Sequence, residues 1–355
     1  MSLQNSTPSV GPAEMPAGIK TSTINELNEA ACADVWKPYM HHQTFDREGT
    51  AGGNTCNGRQ PATRCGEGSA LCCGTFGELL QGQVSIDSTR DSHFLVTMPI
   101  ALFARAHFMS IPGTRSVTVY PSHKVKAKQL AERLASALGV SGGTLLLQSE
   151  LPEGKGLASS SADLVAAARS IAACFNRRVH TSLIEQVMAE IEPSDGVMYP
   201  GVVAYNQRSC QLFSFLGQIP PLAIIGIDEG GTVETVDYDQ RRGNISASQR
   251  DQYQELLERT CLAIPRGDTA VIGEVATTSA LLHQERAPKK HLNSMLKACE
   301  DTHGLGVIVA HSGTMIGILL DRMAPDFPLK LKSAVAQLSR LDRSPKIYLT
   351  MDGCR

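Results

Sequence analysis

Pro152-Glu153-Gly154-Lys155-Gly156-Leu157-Ala158-Ser159-Ser160-Ser161-Ala162-Asp163 is the stretch on which the reading of this chain turns. A strand-like run, Thr144-Leu145-Leu146-Leu147-Gln148, enters it, and a helix-like run leaves it. On the exit side Leu164, Ala168, Ile171 and Phe175 recur at i, i+4, i+7 and i+11, which predicts one apolar helix face. A loop of small residues therefore feeds a helix N-terminus, where unpaired N–H groups and the positive dipole end favour an anion. Gly154 and Gly156 permit tight geometry and close approach by a ligand. The hydroxyls of Ser159, Ser160 and Ser161 can cap the helix, contact phosphate or reach a magnesium ion. The same run also reads as an ordinary helix start, with Asp163 complementing the dipole. It is neither a Walker-type loop, because Ser149 stands where the earlier glycine belongs, nor accompanied by a kinase His-Arg-Asp.

Composition narrows the classes. With 355 residues, 42% hydrophobic and 19% charged, the chain is globular and long enough for two lobes. A formal net charge of -2, one Trp and 5% aromatics argue against nucleic acid as a partner. The absence of an apolar run of 18 or more residues argues against a membrane partner. The N-terminus lacks a positive start followed by an apolar core, as a secretory signal would need. Ten cysteines include no Cys-x-x-Cys pair, and reduced thiols in a cytoplasmic protein are expected.

Residues 1–69 are rich in Ser, Thr, Gly and Pro and are expected to form a flexible extension, with a short helix around 24–36. From Leu71 onward, strands are expected at 94–99, 117–120, 211–215, 222–227, 305–310, 315–321 and 346–350. Helices are expected at 126–138, 183–191, 250–263, 269–282, 292–301 and 329–341. Strands and helices mix without regular alternation, so the expected fold class is α+β.

Two further segments belong with the opening loop: Cys73-Gly74-Thr75-Phe76-Gly77-Glu78-Leu79-Leu80-Gln81-Gly82 and Ala310-His311-Ser312-Gly313-Thr314. In this order the three segments resemble the motifs of the GHMP small-molecule kinases. Pro152, Gly156, Leu157, Ser159, Ser160 and Ala162 match the middle motif, while Ala158 replaces a glycine and Ser161 an alanine. Within the family, Gly77 to Gly82, Glu192-Pro193-Ser194-Asp195 and Ala310 to Thr314 echo the bacterial L-threonine kinases of cobalamin synthesis. Phe76 stands where those carry a cysteine. The Asp228-Glu229-Gly230-Gly231 and Pro288-Lys289 neighbourhoods are similar too, so the likeness spans roughly 71–352.

The resemblance implies a two-lobed fold with a ferredoxin-like C-terminal half, divided at 70–228 and 229–355. It implies ATP and magnesium as cofactors, a small-molecule substrate as partner, and leaves room for a homodimer. Pro152 and Gly154 to Ser161 (Gly154, Lys155, Gly156, Leu157, Ala158, Ser159, Ser160, Ser161) would hold the triphosphate, with Ser160 helping to bind magnesium. Glu192 or Glu185 could supply a metal carboxylate, and Glu192 is the expected one. Asp195 is the expected catalytic residue, facing the acceptor hydroxyl; its Pro-Ser-Asp-Gly context is also ordinary turn chemistry. Glu78, Gln81, Gly82, Ser312 and Gly313 would border the acceptor, although Glu78 reads equally as a loop carboxylate with a surface partner. His311, between apolar strands, reads first as a hydrogen-bonded core histidine. An amino-acid acceptor also calls for a carboxylate anchor, ideally an arginine, and none is identified.

The expected activity is therefore transfer of phosphate from ATP to the side-chain hydroxyl of a small amino acid. L-threonine is the leading acceptor and L-threonine O-3-phosphate its product. Homoserine, serine or a specialised metabolite is the alternative acceptor, and a catalytically silent ATP-binding sensor is the alternative class.

Overall fold

The computed structural model describes residues 66–85, 91–232, 245–341 and 344–351. The helix expected around 24–36 and nearly all of the N-terminal extension lie outside them. Two antiparallel-dominated sheets carry the described residues. The first holds β1 (Glu67–Ser85), β2 (Asp91–Ser110), β3 (Val117–Tyr120), β4 (Gly143–Ser149), β5 (Val202–Asn206) and β6 (Gln211–Gly217). β1 pairs with β2 along its length, while β4 and β5 each pair with β2 at opposite ends of that strand. The only parallel pair among the described residues, β3 with β4, is joined by a crossover helix, α1 (Val125–Leu138).

The second sheet has the order β10-β7-β9-β8, built from β7 (Leu222–Asp228), β8 (Gly306–Val309), β9 (Met315–Asp321) and β10 (Lys346–Leu349). Between β7 and β8 run α4 (Ala247–Arg266), α5 (Thr269–Gln284) and α6 (Leu292–Asp301), and α7 (Phe327–Leu338) connects β9 to β10. This strand order and its helical crossovers are the ferredoxin-like arrangement. β7 lies before the expected division at 228/229, yet it hydrogen-bonds to β9 and β10 in the second sheet. Likewise β1 begins at Glu67, inside the range assigned to the extension.

Period-two alternation explains how the second sheet is buried on both faces. Ile225, Ile227, Ile316, Ile318 and Leu320 face a small core with α6 and α7, whereas Ile224, Ile308 and Leu319 join the main core with the first sheet. Phe76 sits at that seam, fully buried, with its ring edge-to-face against Tyr348 at 5.0 Å. A single bridge, Ile100 to Thr350, ties β2 to the end of β10.

The helix leaving the quoted stretch is α2 (Ser159–Cys174). Its residues from Ser161 to Ala168 are all buried, not only one face. The sheet covers one side and α1 the other, which is why its alanines are needed: larger side chains would hold these layers apart. The core therefore fixes the N-terminus of α2 in the centre of the molecule.

Candidate active site

The phosphate-type loop is anchored by its carbonyls. Lys155 O accepts from the Thr314 amide at 3.1 Å, Gly156 O from Gly77 at 2.9 Å, and Leu157 O from Thr75 at 3.2 Å. β1 and the 310–314 turn thus occupy the loop's acceptors and leave its donors for a ligand. Contact is close enough to demand glycine. A Cβ on Gly156 would sit 2.5 Å from Ala310 Cβ, and one on Gly313 would sit 2.2 Å from Lys155 O.

The N-cap of α2 is Ala158, in a left-handed conformation with φ 56, and no side chain caps the helix. Of the roles open to the serines, capping is not the one seen here: Ser160 donates to Glu192 Oε1, and Ser161 donates to Asp195 Oδ2 at 3.3 Å. The first intrahelical bond runs from Ala162 N–H to Ala158 O at 2.9 Å, so the amides of Ser159, Ser160 and Ser161 have no intrahelical partner, the arrangement that suits an anion.

A cleft of about 370 Å³ opens at this helix end. Of the expected residues, Gly154, Gly156, Leu157, Ala158, Ser159, Ser160 and Ser161 line it, with Glu78, Gln81, Glu192, Asp195 and Ser312. Pro152, Lys155, Gly82 and Gly313 do not. Lys155 is turned to Asp228 Oδ2 at 2.7 Å and to Gly231 O at 2.6 Å, and Gly82 is pressed on the ring of Tyr253. A loop lysine beside glycines looks like a phosphate ligand in sequence. In the fold it clamps the loop to the end of β7, where Asp228 also accepts from Thr314 Oγ1 at 2.6 Å.

Glu78 is not a surface carboxylate. It is 5% exposed on β1 and accepts from the His311 amide at 2.9 Å, with His311 Nδ1 at 3.0 Å. His311 Nε2 in turn meets Ser279 Oγ at 2.9 Å, so this histidine belongs to the core, as its flanking strands suggest. A bulge explains how Glu78 and Gln81 both reach the cleft although three residues apart. Glu78 opposes Thr97, Leu80 opposes Val96 and Gln81 opposes Leu95, so the extra residue restores Gln81 to the face of Glu78.

Glu192 and Asp195 sit on the turn after α3 (Thr181–Ala189), held by Ser194 N–H to Gln207 O at 3.0 Å and Asp195 N–H to Ser161 Oγ at 3.1 Å. Glu192 also pairs with Lys126, and Glu185 is occupied elsewhere, accepting from Tyr199 OH at 2.7 Å outside the cleft. Burial pushes the Asp195 carboxyl up to about 7, and the nearby Glu78 and Glu192 carboxylates add to the rise.

Several cleft residues carry no motif signal. Lys124 reaches Asp163 Oδ2 at 2.5 Å and Glu153 Oε1 at 2.6 Å, and His123 approaches Glu153 at 3.3 Å. Lys124, His123 and Lys126 stand at the start of α1, and only the packing of α1 on α2 brings them to the loop. Lys289 donates to Gly313 O from the buried side of the 310–314 turn, and burial lowers its amine to about 8.

A buried amide-rich helix end, a hydroxyl–carboxylate pair and a second acid of raised pKa in one cleft are the parts that phosphoryl transfer calls for. Residues 125–201 match the family described as GHMP kinases N terminal domain, and the chain is a small-molecule kinase similar to that family, whose members take ATP as phosphate donor. It is 25% identical over 288 residues to the L-threonine kinase of Salmonella typhimurium, covering 79% of this chain and 91% of that one. The L-threonine kinase of Citrobacter freundii is 26% identical over 262 residues, 72% of this chain and 88% of its own. In fold it is similar to the homoserine kinase of Cytophaga hutchinsonii, with a TM-score of 0.62 at 15% identity over 83% of this chain and 98% of that structure.

Proposed function

We propose that this kinase transfers the γ-phosphoryl group of ATP to the side-chain hydroxyl of L-threonine, forming L-threonine O-3-phosphate. The observation that carries the reading is the pair of serine–carboxylate contacts, Ser160 to Glu192 and Ser161 to Asp195, at the open end of α2. The two curated relatives named above supply the choice of acceptor.

The donor set of Ser160 and Glu192 suits magnesium, which favours hard oxygens and completes its shell with water and phosphate. When bound there the ion would neutralise charge on the triphosphate. The amides of Ser159 to Ser161 would hold phosphate oxygens, with Lys124 and Lys126 adding positive charge at the same end. Asp195 would accept the proton of the acceptor hydroxyl as phosphate arrives, a role that a pKa of about 7 supports at neutral pH.

A coupled ADP-release assay across L-threonine, L-serine, L-homoserine and sugar alcohols tests the reading. Threonine is expected to show the highest kcat/KM. A dominant value for homoserine or for a sugar would overturn the acceptor assignment.

A further inference from the structure

The acceptor end of the cleft contains buried amide atoms without partners. Among the described residues, Gln81 Oε1 and both amide atoms of Gln207 have no hydrogen bond, although each residue is only 4% exposed. Both side chains line the cleft beside Glu78 and Asp195. Buried polar atoms that the fold leaves unsatisfied are suited to a ligand that satisfies them. Gln207 is also held firmly: it follows β5, its carbonyl accepts from the Ser194 amide at 3.0 Å, and Asn206 Oδ1 accepts from the amides of Arg208 and Ser209 at 3.0 and 3.1 Å.

Charge indicates what that ligand carries. No arginine is among the described lining residues, so the bidentate carboxylate anchor that an amino acid invites has no counterpart here. The lysines of the lining, Lys124 and Lys126, face Asp163, Glu153 and Glu192 at the phosphate end. The acceptor end offers two unpaired amide oxygens and two carboxylates against one unpaired donor, Gln207 Nε2. That surplus of acceptors suits a cation.

We infer that Gln81 and Gln207 are the specificity-determining residues of the acceptor pocket, and that they recognise a protonated amino group next to the reacting hydroxyl rather than a carboxylate. The amide oxygens accept from the ammonium, and Glu78 and Asp195 supply the opposing charge. This rests on the hydroxy amino acid reading above and adds the feature by which the acceptor is chosen. Burial chiefly, and then the Glu78 and Glu192 carboxylates, push the Asp195 carboxyl up, and a bound ammonium would offset the repulsive part.

The test compares kcat/KM for L-threonine, for L-threoninol, which keeps the amine and lacks the carboxylate, and for 3-hydroxybutyrate, which keeps the carboxylate and lacks the amine. Threoninol is expected within about 10-fold of threonine, and 3-hydroxybutyrate is expected to lose ~10³-fold or more, since buried groups left unpaired reject the deficient analogue. Equal use of threonine and 3-hydroxybutyrate, or a 10³-fold loss with threoninol, would overturn the ammonium anchor alone at about the same scale. Turnover confined to acceptors without an amine would overturn both this inference and the threonine reading. In the full chain, Gln207→Leu should raise KM for threonine about 10–100-fold with KM for ATP unchanged. An unmoved KM would sink the assignment of Gln207, and Gln81→Leu provides the same readout if the first variant does not fold.

Discussion

The two ends of the cleft are built on opposite electrostatic plans. At the phosphate end every carboxylate has a cation: Asp163 and Glu153 share Lys124, and Glu192 has Lys126. At the acceptor end Glu78 and Asp195 share no lysine or arginine of the lining, and one carboxyl is driven toward neutrality by burial. The contrast teaches that neither end is tuned for stability alone. The first sets lysines against its carboxylates beside the open amides of α2, and the second holds a buried carboxyl whose pKa is raised to about 7.

Removing the acid at the second end is the most severe way to break the contrast. Asp195→Asn should lower kcat roughly 10²–10⁴-fold, with ATP affinity retained because the first end is untouched. Single-turnover kinetics with nucleotide binding measured separately would show the split; near-normal turnover would remove Asp195 from the chemistry. At the first end, Ser160→Ala deletes a hydroxyl and leaves Glu192 with Lys126. The magnesium concentration for half-maximal rate should rise roughly 10–100-fold, whereas KM for the acceptor should change little in steady-state titrations.

The raised carboxyl also predicts two pH profiles of opposite direction. As a base Asp195 must lose its proton, so kcat/KM should rise with pH and level off above about 7. For folding the sign is reversed. Its ordinary pKa is 3.8, so between about pH 4 and 7 the folded chain holds a proton that the unfolded chain has released. Its contribution to stability is therefore greatest at low pH and is lost as pH rises through about 7. Asp195→Asn should melt higher than the parent at pH 8, and that advantage should vanish near pH 4; an equal difference at both values would contradict the burial of an ionising acid.

The smallest effect sharpens the loop between the two ends. Ala158 holds φ 56, which costs a non-glycine residue about 1 kcal/mol. Ala158→Gly should stabilise by roughly 0.5 kcal/mol after glycine's greater freedom in the unfolded chain is set against it. A denaturant titration would detect this, and a loss of stability would mean that the methyl's packing outweighs the strain.

Much of the fold could be read before any coordinates. The expected helix at 292–301 and the strand at 315–321 coincide with α6 and β9, because local apolar periodicity sets both. Asp195, Ser160 and Glu192 were legible because small residues and acids recur in a motif order. The motif around Cys73 to Gly82 gave no hint that Glu78 lies in a bulged strand. Its partner His311 is 233 positions away, and pairing at that distance leaves no local trace. Lys155 was misleading for the same reason: proximity to glycines in sequence points to phosphate, while Asp228 claims it in space. Gln207 was silent, since an isolated glutamine after a strand has no periodicity or motif to mark it.

Sequence alone determined most of the elements, the α+β class and the glycine- and serine-rich helix start with its nearby acids, because short-range sterics and hydrophobic spacing decide these within a few residues. Only tertiary packing decided which acid keeps a proton, which lysine faces phosphate and which amides stay unsatisfied. Those properties depend on desolvation and on charges brought together from distant parts of the chain, and neither exists until the core has closed around them.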